Sequence, residues 1–399
     1  MSTQSNTKNR MFPVVMIGLA LALRQMSMTI VAPFISTYCK SLAGYTPLLA
    51  GLAVGAFGLM QAIFQIPFGM LSDRYGNKRV MLSGLVLVIV GFLFGFFAQS
   101  IWMLILARVL QGSGAVIGVG YSWAAGLTED SNRTKAMSIL GAFVSGAAAL
   151  AFAVGPLLRG VMSVSWMFLA GAILLTMNSL YILFFLKEAG DHGKASVPQR
   201  GEVAALLRNR SFVIMNLLAF LNNFMMMAVF YAAPIYMDQV TGQNGMWKIF
   251  VPAIIVAILV MKATVRWVDK GLVNPVLLAA FAVSCLSILF YFRPSSFLFL
   301  LLGTTAFLCG YITIATVAAT HVNKVVEDHL RGTGNGIFNS FQYIGNFGGA
   351  LAMGAVWGFS QTAAWLIVIA AGGIGFLLIA LSRQSHTKEP ERNDSEYER

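Results

Sequence analysis

Arg24 and Arg108 each sit inside an apolar stretch long enough to cross a bilayer, and no carboxylate lies beside either in sequence. A permanent cation at that depth is costly, and it is kept where it faces a bundle interior or a watery cavity. The chemistry of such a pair is electrostatic: fixed positive potential offered to whatever passes. The other reactive residue types form no catalytic constellation. Cys39, Cys285 and Cys309 are far apart and lack metal-ligand spacing; the last two fall in apolar runs, as small packing residues do. His192 and His386 lie in polar segments, while His321 and His329 border one loop. No nucleophile with a histidine partner and no phosphate-binding glycine loop accompanies them. No enzyme activity, cofactor or metal is therefore expected.

Those arginines must be positioned by membrane helices. Of 399 residues, 58% are hydrophobic and 11% charged, with a mean hydropathy of +0.76, whereas a soluble domain carries about 25% charged residues. The net charge of +12 would suggest nucleic acid on a soluble protein; here it reads as basic loops on one side of a membrane, with no nucleic-acid partner. Lys8 and Arg10 before an apolar run, with Ala20-Leu21-Ala22, imitate a signal peptide. The run continues to about Tyr38, too long for a signal core, so an uncleaved first span is expected.

Twelve segments of roughly 20 apolar residues can span the hydrocarbon: 11–37, 48–68, 80–98, 102–125, 137–158, 166–186, 212–236, 249–265, 273–292, 297–320, 334–357 and 363–382. Twenty-one of the 27 lysines and arginines fall on the side of the N-terminus, and only Lys40, Arg159, Lys248 and Arg293 fall opposite. That asymmetry puts both termini in the cytoplasm of a cell (inner or plasma) membrane and requires an even number of spans. The domains expected are a cytoplasmic tail (1–10), a six-helix bundle (11–186), a polar cytoplasmic linker (187–211), a second six-helix bundle (212–382) and a cytoplasmic tail (383–399). The fold class is an all-α membrane protein of two pseudo-symmetric bundles.

The halves echo each other. Glu129-Asp130-x-x-Arg133 returns as Glu327-Asp328-x-x-Arg331, and Asp73-Arg74 as Asp269-Lys270, at nearly one offset and after corresponding spans. Parallel six-span repeats characterise one large transporter architecture. Positive-inside loops alone explain the cations but not the matched carboxylates.

Between spans two and three the chain reads Gly69-x-Leu71-x-Asp73-Arg74-x-Gly76-x-Lys78-Arg79. This resembles the G-x-L-x-D-R-x-G-x-(K/R)-(K/R) loop of the major facilitator superfamily. Asp73 can sit against the positive N-terminal end of a neighbouring helix. The resemblance implies that this is the helix beginning near Gly332–Gly334, with Arg79 reaching Asp130, a latch that shuts the cytoplasmic side. In span four, Leu104-x-x-x-Arg108-x-x-Gln111-Gly112-x-Gly114 resembles a motif of the 12-helix drug:proton antiporter branch, in which the arginine is tied to proton coupling or substrate charge. Arg108, Gln111, Gly112 and Ala115 share a helical face. Gly155-Pro156-x-x-Arg159-Gly160 resembles the branch's G-P-x-x-G-G exporter motif, with Arg159 in place of a glycine and Ala151 where another glycine is usual. That departure leaves the direction of transport open.

The resemblance implies a central substrate site near mid-membrane. The polar candidates are Arg24 and Gln25, then Arg108, Tyr121 and Trp123, then Asn222 and Asn223 beside Met225–Met227, and Asn339, Gln342 and Asn346 on one face of span eleven. The amides serve equally as interhelical hydrogen-bond partners. Antiporters of this branch for cationic drugs carry an acid in span one; Arg24 occupies that region here, so a neutral or anionic amphipathic substrate is expected. If protons are coupled, the carriers are Asp73, Asp238 or His321. The leading expectation is a monomeric secondary transporter that alternates access and exports a small organic molecule by proton antiport. An anion exchanger or facilitator without a proton step is the alternative, and a non-transporting sensor a distant one.

Overall fold

The computed structural model describes residues 3–188, 200–242, 245–327 and 330–383, and among them the regular structure is helical throughout. The first half contains α1 (Thr3–Val31), α2 (Ile35–Cys39), α3 (Pro47–Tyr75), α4 (Asn77–Phe96), α5 (Ile101–Ser113), α6 (Ile117–Gly126), α7 (Asp130–Arg159) and α8 (Val164–Phe185). A short helix, α9 (Arg200–Arg208), precedes the second half. There follow α10 (Arg210–Thr241), α11 (Trp247–Asp269), α12 (Val273–Ser287), α13 (Phe297–Val325), α14 (Arg331–Trp357) and α15 (Gln361–Arg383). Helix ends sit where the chain supplies caps. Thr46 Oγ1 accepts from Leu49 N ahead of Pro47, Ser100 Oγ from Met103 N, and Asn209 Oδ1 from Phe212 N.

Eleven spans among the described residues are long and apolar enough to cross a bilayer. The twelfth helix is α14, whose Asn335, Asn339, Gln342 and Asn346 dilute its apolar character. It is sheltered instead by its neighbours, α3 on one face and α10 on the other. Three spans depart from the simple helices expected. Helix α1 begins at Thr3, ahead of the first span itself (Met11–Cys39), and that span is interrupted by a 3-10 turn over Ala32–Phe34 that contains Pro33. Span nine finishes in a 3-10 turn over Ile288–Phe292. Span four, expected as one helix over 102–125, breaks between Ser113 and Ile117. The side carrying the chain ends is called the tail side below, and the opposite one the far side.

The halves meet along α3 and α14, and glycine makes that approach possible. Gly51, Gly55 and Gly58 recur at helical spacing on the contact face of α3. A Cβ at Gly55 would stand 3.1 Å from Phe347 O, and one at Gly58 2.8 Å from Tyr343 O. Reciprocally, a Cβ at Gly354 would stand 2.6 Å from Pro47 O. In a bilayer, helix association relies on such packing, because lipid tails already satisfy apolar surface. The other face of α14 does the same: Gly345 and Gly349 lie against the backbone oxygens of Phe220 and Phe224 in α10.

Aromatic groups complete the far-side closure. Tyr231 Oη donates to Pro47 O at 3.0 Å across the two halves, and Phe152 meets Phe230 with ring centroids 5.4 Å apart. Behind Tyr231, Trp357, Tyr236, Trp365 and Tyr291 form a continuous buried stack, with Tyr291 and Trp365 nearly parallel at 4.8 Å. The far-side loops are tied too, Ala43 N donating to Gln99 O and Ile101 N to Ala43 O.

Gly51→Leu should wedge α3 from α14 against main-chain atoms that cannot move aside. We expect a loss of about 1–3 kcal/mol and a lower Tm for the purified protein. A cysteine placed at Tyr231 in that background should gain reactivity toward thiol reagents added from the far side.

Candidate functional site

The break in span four explains the first arginine. Interrupting a membrane helix frees carbonyl oxygens, and each must find a donor away from lipid. Arg24 supplies one: its Nη2 donates to Gly114 O at 3.2 Å and to Gln61 Oε1 at 2.8 Å. Arg108 lies on the preceding turns, with Nε donating to Ala53 O at 3.3 Å and Nη1 to Gln111 Oε1 at 2.7 Å. Between the two stands the Phe57 ring, its centroid 6.0 Å from the Arg24 guanidinium carbon and 4.9 Å from that of Arg108. Both arginines are buried, at 1% and 3% exposure. Every partner is neutral: carbonyls, amide oxygens and a π face. Among the described residues, no Asp or Glu is buried.

This placement differs from the one expected. The sequence put both guanidinium groups on an open, watery cavity; the structure encloses them in the packing of the first half, because the broken helix and the α3 backbone offer them carbonyls. The ensemble is not fully satisfied. Arg24 Nε, Gln61 Nε2 and Gln111 Nε2 are buried donors without a hydrogen-bond partner. Three orphan donors around two cations give a site short of acceptors and of negative charge.

The second half closes on this ensemble through Tyr343 of α14, which lies within electrostatic reach of Arg24 and of Tyr121. Gln25, half-buried, donates to Thr29 Oγ1 at 3.0 Å. Asn339 and Gln342 are half-buried and make no hydrogen bond among the described residues, whereas Asn346 Oδ1 is buried and unpaired beside Gly58. One turn past the break, no atom lies within 4 Å of where a Gly118 Cβ would stand. Arg24, Tyr121 and Tyr343 thus meet at one junction between the halves; Gln25 and Gln342 are chain neighbours of Arg24 and Tyr343, and Asn339 lies one turn before Tyr343 on α14. Other candidates lie apart from it. Trp123 is fully enclosed. Asn223 donates to Ala219 O in its own helix, and Asn222 to Tyr311 O in α13, the interhelical role. Met225, Met226 and Met227 are buried packing residues.

The motif glycines hold helices together. Gly112 lies against Phe57 O, and a Cβ at Gly155 would stand 2.9 Å from Ile30 O, so α5 meets α3 and α7 meets α1 by backbone. Pro156 follows inside α7. Arg159 is buried at the far end of α7, donates to Met162 O at 3.4 Å and feels the charge of Asp238 from the other half.

On the tail side, Gly76 turns the chain with φ +90°. The Glu188 carboxylate then accepts from Asn77 N at 2.9 Å and Lys78 N at 3.2 Å, capping α4. Lys78 Nζ returns the service, donating to Leu183 O and Leu186 O at the end of α8. This reciprocal clasp was missed in the sequence; a carboxylate two residues past a helix end, opposite a glycine turn, was the only signal. Asp73, Arg74 and Arg79 are exposed, and Asp73 and Arg79 make no hydrogen bond or ion pair among the described residues. The Asp130 side chain and Gly332 lie outside the described side chains, so the Arg79–Asp130 contact is not visible. Beside Gly69, and opposite it at Gly336, no described atom lies within 4 Å of the Cβ position. His321 Nε2 bonds Ser211 Oγ at 2.9 Å, linking α13 to α10.

The all-helical fold, the polar junction between the halves and the glycine-turned basic loop are joined by sequence likeness. The family model of the Major Facilitator Superfamily matches residues 17–350. The chain belongs to that superfamily. It is 27% identical over 341 residues, 84% of this chain and 75% of the relative, to the inner membrane transport protein YajR of Escherichia coli (strain K12). It is 29% identical over 194 residues, 48% of this chain and 49% of the relative, to the class G tetracycline resistance protein of Vibrio anguillarum. In fold it is similar to a bacterial homologue of the human lysosomal transporter Spinster, solved inward-facing and unoccupied. The TM-score is 0.75 at 13% identity, covering 95% of this chain and 98% of that one. This superfamily member is therefore a twelve-helix, multi-pass membrane protein of a transporter family.

Arg24→Met should strand Gln61 Oε1 in the interior, an orphan costing about 1–3 kcal/mol, and leave Gly114 O with its bond from Val116 N alone. A clear fall in Tm is expected; an unchanged Tm would mean the arginine does not cap the break.

Proposed function

We propose that the protein is a secondary active transporter that exports a small organic molecule by alternating access, its two bundles (11–186 and 212–382) rocking about the junction of Arg24, Tyr343 and Gln342. The carrying observation is the pair of guanidinium groups enclosed in the first half, with neutral partners and orphan donors, and Tyr343 of the second half within electrostatic reach of Arg24. Positive potential without a counter-carboxylate favours anionic or neutral amphipathic cargo over cations. Relatives named tetracycline resistance proteins support export of a small organic molecule. The inner membrane transport protein supports residence in a cell membrane. The basic excess on the tail side supports cytoplasmic termini.

In this reading the structure is the state open toward the cytoplasm. The far side is sealed by the α3–α14 seam, Tyr231, and Phe152 with Phe230. On the tail side, Asp73 is unlatched. Closing that side would carry Asp73 to the N-terminal end of α14, and opening the far side would part Arg159 from Asp238. Gly69, Asp73, Arg74, Gly76, Arg79, Asp130, Gly155 and Pro156 are gate residues here, and Gln111 and Gly112 support Arg108.

Proton antiport needs a group whose protonation differs between the two states, and Asp73, Asp238 and His321 are the candidates. The absence of a buried carboxylate among the described residues favours the second reading, an anion exchanger or facilitator without a proton step. Proteoliposome uptake with and without an imposed pH gradient separates them: equal uptake defeats antiport.

Two variants test the site and the gate. Arg108→Gln should abolish transport of an anionic substrate, whereas Arg108→Lys should keep part of it; full activity in Arg108→Gln would remove the arginine from the mechanism. Asp73→Asn should shift the population toward the cytoplasm-open form, read as increased labelling of a tail-side cysteine at Gly118, and unaltered labelling would defeat the latch.

A further inference from the structure

A groove of about 270 Å³ runs between α11, α12 and α13 on the outer surface of the second half, remote from the central junction. Its residues explain its shape. Ala280 and Gly310 form a buried floor, where a Cβ on Gly310 would stand 2.6 Å from Ala280 O, so α12 and α13 touch by backbone beneath it. Trp267 and Leu272 form an exposed rim, and Cys309 and Thr313 line the α13 wall. Small residues under large ones leave an apolar slot that neighbouring side chains do not fill.

The slot has a charged mouth. Trp267 and Leu272 bracket Asp269-Lys270-Gly271 in sequence, and Gly271, with φ +85°, doubles the chain back there. Lys270 therefore stands at the tail-side end of the groove. Lys262 and Arg266 lie on the face of α11 turned away from the groove residues Val260, Thr264 and Trp267, whereas Lys270, just past the end of α11, leads into the turn at the groove mouth. All three are exposed and make no hydrogen bond or ion pair among the described residues. Asp269 is the single carboxylate of that segment, so the cations prevail. An indole at the same level suits the headgroup boundary, where aromatic rings with one polar edge collect.

We propose that this groove is a site for an anionic phospholipid of the tail-side leaflet. One acyl chain lies along Ala280 and Gly310, and the phosphate is held by Lys270 beneath Trp267. An acyl chain matches a slot lined almost wholly by apolar atoms, and a flexible cation at its mouth matches a phosphodiester. A zwitterionic lipid fills the slot equally well but brings its own ammonium to the basic mouth, which weakens that match. The site is separate from the transport pathway and does not depend on the cargo.

The test uses the full-length protein, delipidated in detergent and exposed to equal mixtures of phosphatidylglycerol and phosphatidylcholine, with retained lipid counted by native mass spectrometry. Phosphatidylglycerol should be retained preferentially. Lys270→Gln should reduce that preference roughly fivefold, while Arg266→Gln, on the face of α11 away from the groove, and Arg293→Gln on the far side should not. Ala279→Trp, at an exposed position on the groove wall, should block retention of both lipids with the basic residues intact. Glycerophosphoglycerol, the soluble headgroup alone, should compete poorly. Equal retention of the two lipids, a preference untouched by Lys270→Gln, retention unaffected by Ala279→Trp, or efficient competition by the soluble headgroup would each overturn the proposal.

Discussion

The architecture depends on main chain meeting main chain between α3 and α14. Three glycines on one helix and one on the other bring backbones so close that no side chain fits between them. Nothing in a bilayer pushes two apolar helices together, so intimacy of contact has to supply the adhesion. The same seam is tight toward the far side, whereas no described atom lies within 4 Å of a Cβ at Gly69 or at Gly336.

A second constraint, the prohibition on bare carbonyls in hydrocarbon, shapes the polar centre. Span four breaks at Gly114, whose oxygen takes Val116 N at 2.9 Å within the turn and Arg24 Nη2 at 3.2 Å from another helix. Arg108 does comparable work at Ala53 O, and Phe57 separates the two like charges. One set of side chains thus has two burdens: mending the backbone and maintaining positive potential. Glutamines stand where a soluble protein would use carboxylates, and they tether the arginines without discharging them.

Much of this was legible in the chain. Hydropathy and the lysine–arginine count yield the twelve crossings, and the loop from Gly69 to Arg79 yields the family. The polar character of span eleven was also visible, and it is why α14 needs protein on both faces. Three features escaped. The break in span four leaves no proline behind it, and an Arg-x-x-Gln-Gly-x-Gly run reads as continuous helix because helix period says nothing of a carbonyl captured from 90 residues away. Trp123 looked amphipathic enough for a cavity, yet its surroundings are set by tertiary packing. The partners of Lys78 are main-chain oxygens at the end of α8, which carry no residue-specific signature at all.

That last contact has a mechanical meaning. Because Glu188 caps α4 while Lys78 caps α8, the stretch where the interbundle connection departs is riveted to the loop bearing Asp73. Pull on the connection would reach that loop as torque rather than slack. The root of that connection is then a fulcrum.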